Sequence, residues 1–155
     1  MPPRILALPN LAAAALAFSA SAAFAQGESR FGQWLMQSDA PPPSSNIITY
    51  EPWGDGGMKI TVASTNSSGS SSEWGYTTLF DGEFRAVEGQ NGSETAVEII
   101  NERATRIINR RNGRVTQIII NTLSEDGNTI SNEYVRMNAE GQITGVSHAV
   151  YERIR

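Results

Sequence analysis

The residues able to carry chemistry are few. His148 is the sole histidine and the chain has no cysteine, so a catalytic triad, thiol chemistry, disulfide exchange and cysteine or histidine metal sites lack their parts. The carboxylates lie beside turns or alternate with apolar residues, and no pair is fixed by local spacing for acid–base work. Gly54–Gly57 (GDGG) is glycine-rich but lacks the lysine and the strand–loop–helix setting of a phosphate loop. No cofactor is expected, and an enzyme ranks last among the functions considered.

Two sets of side chains fit binding. Trp34, Trp53, Trp74, Tyr76 and Phe80 supply aromatic surface that either fills a core or lines an apolar pocket. Arg106, Arg136 and Arg153 are candidates for an acidic headgroup. Tyr134 shares a strand face with Arg136, and Tyr151 with Arg153, so hydroxyl and guanidinium would converge on one carboxylate. The plainer alternative makes those arginines solvated and outward-facing. The candidate ligand contacts are thus Trp74, Tyr76, Phe80, Arg106, Tyr134, Arg136, Tyr151 and Arg153. Arg110, Arg111 and Arg114 flank one turn and cluster at one rim.

The elements that must position these residues read mostly as strands. Phe31–Gln37 is the first apolar stretch, and Ser38–Asn46, with Pro41-Pro42-Pro43, is an extended connector. Ile47–Trp53 follows. Met58–Thr65 alternates, with Met58, Ile60 and Val62 on one face, and Trp74, Tyr76, Thr78 and Phe80 share a face beyond the loop Asn66–Ser72. Asn112-Gly113, Asp126-Gly127 and Glu140-Gly141 recur 14 residues apart, the spacing of a strand of about ten residues plus a tight turn whose central residues both take positive φ. Ser93–Arg111 fits either an amphipathic helix, with glutamates early and arginines late, or two strands turning at Asn101-Glu102; local pattern slightly favours the helix.

The N-terminus reads as a secretory leader. Arg4 is the basic start, Leu11–Phe18 the apolar core and Ala23-Phe24-Ala25 a small-x-small cleavage site. That core is too short to span a bilayer, so no stable membrane insertion is expected. The expected organisation is a cleaved signal peptide, 1–25, then one domain, 26–155, opening with a polar lead at 26–30. Loss of Arg4 leaves 11 basic against 16 acidic side chains, a net charge of −5, which disfavours nucleic acid as a partner. The protein is expected in the periplasm or outside the cell; its oligomeric state is not legible.

A set of short motifs in order resembles a family of small exported bacterial barrels described as lipocalin-like: Trp34-Leu35 with Ser38 and the prolines after it, Tyr50-Glu51-Pro52 with Gly54-Asp55-Gly56 and Lys59, Phe80-Asp81-Gly82 with Val87 and Gly89, then Asn112-Gly113, Leu123–Thr129, Gly141 and Val150-Tyr151-Glu152. The resemblance implies strands at Ser93–Arg111 and an all-β, antiparallel up-and-down meander closing into a barrel of about 8–10 strands. Gly32-Gln33-Trp34 is similar to the Gly-x-Trp of a first lipocalin strand, which implies that Arg153 or Arg155 packs on Trp34 at the barrel base. The second lipocalin motif, Thr-Asp-x-x-Tyr, is absent, and Gln37 to Ile47 leaves no room for the helical lid of fatty-acid-binding proteins. The expected function is an exported, non-enzymatic module for a small apolar or amphipathic ligand. The alternative is an envelope or secreted inhibitor-like barrel that meets protein partners through its rim loops.

Overall fold

The computed structural model describes residues 29–155; the expected leader and cleavage site lie outside the described residues. Ten strands follow in chain order: β1 (Gly32–Met36), β2 (Ser45–Trp53), β3 (Gly57–Thr65), β4 (Ser71–Thr78), β5 (Arg85–Ala86), β6 (Ser93–Ile99), β7 (Ala104–Arg111), β8 (Arg114–Leu123), β9 (Thr129–Met137) and β10 (Ile143–Arg153). Every ladder is antiparallel, and the sheet order β4-β3-β2-β1-β10-β9-β8-β7-β6-β5 is an up-and-down meander in which the first strand pairs with the last. The fold is the expected all-β barrel, nearly closed.

The remaining seam is narrow. Gly75 in β4 exchanges both backbone bonds with Glu88, just past β5, at 3.1 and 2.8 Å. Glycine is needed there because a Cβ would sit 2.7 Å from the Ile60 carbonyl oxygen on the other side. At the seam β4 therefore lies closer to β3 than a side chain on residue 75 allows.

Period-two alternation sets which residues enter the barrel. Met58, Ile60 and Val62 are all buried, as are Ile48 and Tyr50 opposite them. Trp34, fully buried, stands at the base, with its Cα partners Ile48 on one side and Arg153 on the other. The Arg153 guanidinium lies over the Trp34 ring, 4.2 Å from its centroid, so of the two arginines offered by the sequence it is Arg153 that makes the contact.

Ser93–Arg111 forms β6 and β7, not a helix. Val97 and Ile107 face each other across the ladder and enter the core. The Asn101 side chain accepts the Arg103 and Ala104 amides at 3.0 and 2.9 Å and holds the turn. The three glycine turns are not equivalent. At Asn112-Gly113 both residues have positive φ, 50° and 77°. At the other two only the glycine does, and Gly127 and Gly141 donate to Ser124 and Asn138 at 3.1 Å. These are wider turns ending in a left-handed glycine, so the expectation of paired positive φ fails at Asp126 and Glu140.

Candidate functional site

The barrel interior is not filled by side chains. A cavity of about 490 Å³ opens at the end formed by the β1–β2, β3–β4, β5–β6, β7–β8 and β9–β10 connections, a volume within the range of small-molecule sites. Its wall has three levels. Asn121, Asn132, Tyr50 and Tyr151 form the floor, Ile48, Ile60, Val62, Val87, Ile107 and Ile119 form an apolar belt, and Asn46, Gln90, Asn109, Gln117, Arg111 and Arg136 ring the mouth. All four tyrosines of the chain line this one cavity.

The floor is built on Arg30. That residue belongs to the polar lead, yet it is 1 % exposed. Its Nε donates to Asn121 Oδ1 at 3.1 Å and its Nη2 to the Arg103 carbonyl at 2.7 Å. Asn121 Nδ2 donates to Asn132 Oδ1 at 2.8 Å, Asn132 Nδ2 donates to Tyr134 Oη at 3.0 Å, and the Tyr134 and Tyr151 hydroxyls lie 3.4 Å apart. Burial pushes the Tyr50 phenol up to about 12, against the opposing pull of Arg30 and the Asn121 amide. Burial likewise raises Tyr76 and Tyr151. The interior therefore presents neutral phenols and amides at ordinary pH.

On the aromatic side, Trp74 stacks on Tyr76 with ring centroids 6.2 Å apart and 16° between planes. At the mouth, Thr95 Oγ1 donates to Asn109 Oδ1 at 2.8 Å and Asn109 Nδ2 donates to Gln117 Oε1 at 3.1 Å. Asn46 donates to Ser64 at 2.7 Å, while its buried Oδ1 accepts no hydrogen bond among the described residues. Arg136 donates to Ser147 Oγ at 3.2 Å, and neither it nor Arg111 forms an ion pair among the described residues. Arg110 is engaged by Glu94 at 2.8 Å and lies over the Phe84 ring at 3.7 Å.

Of the eight candidate contacts, Trp74, Tyr76, Tyr134, Arg136 and Tyr151 come together around the cavity. Three do not line it. Phe80 leaves the alternation of β4 through a left-handed φ of 59° and packs in the core below. Arg106 pairs with Glu98 across β6–β7, on the face opposite Val97 and Ile107. Arg153 shares the inward face of Tyr151 but sits one step lower, where it closes the base by donating to the Gly127, Phe31 and Ser29 carbonyls. Sequence reading missed Arg30, Tyr50 and the two asparagines; only the alternation of Asn121 with Ile119, and of Asn132 with Tyr134, signals inward asparagines. His148 is on an exposed face beside Glu133, Nδ1 to Oε1 2.6 Å. Among the described residues no cluster of three or more His, Asp or Glu side chains could hold a metal ion, and no helix is long and apolar enough to cross a membrane. The site can enclose and orient a molecule, and it carries no arranged nucleophile and base.

The architecture is an antiparallel up-and-down barrel of ten strands, and solved barrels share the fold. A Schistosoma mansoni fatty acid binding protein in complex with arachidonic acid superposes with a TM-score of 0.56 at 12 % identity, covering 84 % of this chain and 99 % of that one. Echinococcus granulosus fatty-acid-binding protein 1 gives 0.56 at 11 % identity, covering 83 % and 99 %. The wild-type fluorescent protein UnaG gives 0.54 at 13 % identity, covering 82 % and 98 %. At these identities the likeness is one of fold. No protein-family model and no curated protein matches the chain.

Proposed function

We propose that this chain is a non-enzymatic binding module that encloses a small apolar or amphipathic ligand. The observation that carries the reading is the open, 490 Å³ cavity with an apolar belt between two polar ends. A barrel of this kind is either filled by its side chains or wide enough for one ligand, and here the second holds. The fatty-acid-binding proteins of like fold support the reading by analogy. A series of fatty acids titrated against tryptophan fluorescence tests it, because Trp74 lines the cavity. Each methylene buried contributes about 0.8 kcal/mol, so affinity rises with chain length until the cavity is full; flat titrations across the series reject the reading.

Export is the second part of the proposal. It rests on Arg4, the apolar run Leu11–Phe18 and the Ala23-Phe24-Ala25 site. N-terminal sequencing of the protein from its host should begin at Gln26, and a chain beginning at Met1 rejects it. One observation favours the protein-interaction alternative: Ile143 and Val146 of β10 are each 65 % exposed. The open interior places it second.

A further inference from the structure

The hydrogen-bond chain at the cavity floor has a fixed direction. It begins at Arg30, whose guanidinium only donates. Its bond to Asn121 Oδ1 sets which way that amide faces, so Asn121 donates onward to Asn132, and Asn132 donates onward to Tyr134. Each link uses an acceptor and hands on a donor. The hydroxyls of Tyr134 and Tyr151 close the chain, sharing one bond between them. Two phenols carry two protons, and one bond uses one. Whichever hydroxyl donates to the other, one O–H remains without an acceptor among the described residues. Tyr76 brings another hydroxyl to the same cavity and has no hydrogen-bond partner among the described residues. The floor thus presents surplus donors to the open cavity, and a ligand end that displaced water there without accepting from them would leave them unmet, which is costly.

We propose that the ligand's buried end is a neutral hydrogen-bond acceptor with no donor of its own, a ketone- or ester-type carbonyl, received by the hydroxyls of Tyr76 and of the Tyr134–Tyr151 pair. This rests on the binding reading and narrows it. A purely apolar end would strand the phenolic protons. An ammonium end accepts no hydrogen bond, so the same protons would stay unmet, and it would lose its own water among neutral groups. A carboxylate would lose its water with no guanidinium facing it: Arg30 lies beneath the floor and is engaged by Asn121 and the Arg103 carbonyl, and the arginines that line the cavity, Arg110, Arg111 and Arg136, belong to the mouth and its rim.

The test compares four probes of equal chain length on the purified protein: octane, methyl hexyl ketone, octylamine and octanoate, followed by tryptophan fluorescence and calorimetry. The ketone should bind about tenfold more tightly than octane, more tightly than the amine, and more tightly than the acid once Arg136→Ala removes the cation at the mouth. Tyr151→Phe and Tyr76→Phe should each erase most of that advantage while leaving octane affinity within about twofold. If Tyr151→Phe fails to fold, the ranking on the native protein and the Tyr76→Phe variant still decide. Octane bound as tightly as the ketone, octylamine bound more tightly than it, or octanoate bound more tightly than it by the Arg136→Ala variant, overturns the carbonyl proposal and leaves ligand binding standing. Binding of none of the four overturns both.

Discussion

Arg153 and Trp34 form the plug of the barrel: the guanidinium lies over the indole, 4.2 Å from its centroid, while the indole Nε1 donates to the Arg30 carbonyl at 2.9 Å. The same guanidinium donates to the Gly127, Phe31 and Ser29 carbonyls at 3.0, 2.8 and 2.8 Å. One side chain thereby ties the last strand to the first, to the β8–β9 turn and to the residues leading into β1.

A planar fork is needed for that set, and lysine does not supply one. Arg153→Lys should lower stability by about 2–3 kcal/mol, from lost charge-assisted bonds and lost stacking. Urea unfolding followed by circular dichroism measures it. A change below about 0.5 kcal/mol would show that the plug is ornamental to the fold.

The seam gives a contrasting prediction. Gly75→Ala places a methyl 2.7 Å from the Ile60 carbonyl oxygen, and backbone must move to relieve it. Expected is a loss of about 1–3 kcal/mol together with faster hydrogen exchange at the amides of Gly75 and Glu88, whose paired bonds close the barrel. Gly113→Ala serves as the control. Nothing lies within 4 Å of its new Cβ, so it should cost only the left-handed conformation, about 1–2 kcal/mol, with the seam amides still protected.

Much of this architecture is legible locally. The alternation of Met58, Ile60 and Val62 fixes a face, and Asn112-Gly113 fixes a two-residue hairpin, because both signals are carried by residues adjacent in the chain. Ser93–Arg111 is not legible by pattern. Its glutamates and arginines mimic a helix with complementary ends, whereas they are cross-strand partners, Glu94 with Arg110 and Glu98 with Arg106; the resemblance to lipocalin-like barrels supplies what pattern does not. Arg30 is beyond local reading for a different reason. Its partners Asn121 and Arg103 are 91 and 73 residues away, so only the closed barrel reveals that a polar N-terminal arginine is core. Arg153 and Arg136 share a parity with tyrosines, and parity gives the face but not the height along the barrel, which separates a plug from a mouth residue.

The buried phenols predict alkaline sensitivity. Burial raises Tyr50 to about 12, and raises Tyr76 and Tyr151 as well, while an unfolded tyrosine ionises near about 10. The folded state holds these protons more tightly than the unfolded chain, so their contribution is intact below about pH 10 and is lost as pH rises toward about 12. Tyrosinate absorbance should therefore rise together with loss of the far-ultraviolet strand signal. Independent ionisation of all four tyrosines near pH 10 with the strand signal intact would contradict the buried placement of Tyr50, Tyr76 and Tyr151.

Arg136 gives the last prediction. It lines the mouth, its guanidinium donates to the neutral Ser147 hydroxyl at 3.2 Å, and no carboxylate pairs with it among the described residues. Arg110, by contrast, is already held by Glu94, and Arg106 by Glu98. Arg136 is therefore the cavity arginine best placed to meet an acidic outer end, with Arg111 beside the same opening. A charge-assisted bond is about twice as strong as a neutral one, so Arg136→Ala should weaken a long-chain acid by about tenfold and the alcohol of equal length by less than about threefold. The difference should shrink as salt is added, because the mouth is open to solvent and its charges are screened. Isothermal titration of acid and alcohol at two ionic strengths reads all of this. Equal losses for both ligands would mean that Arg136 shapes the opening rather than recognising charge, and no loss for either would remove it from the site.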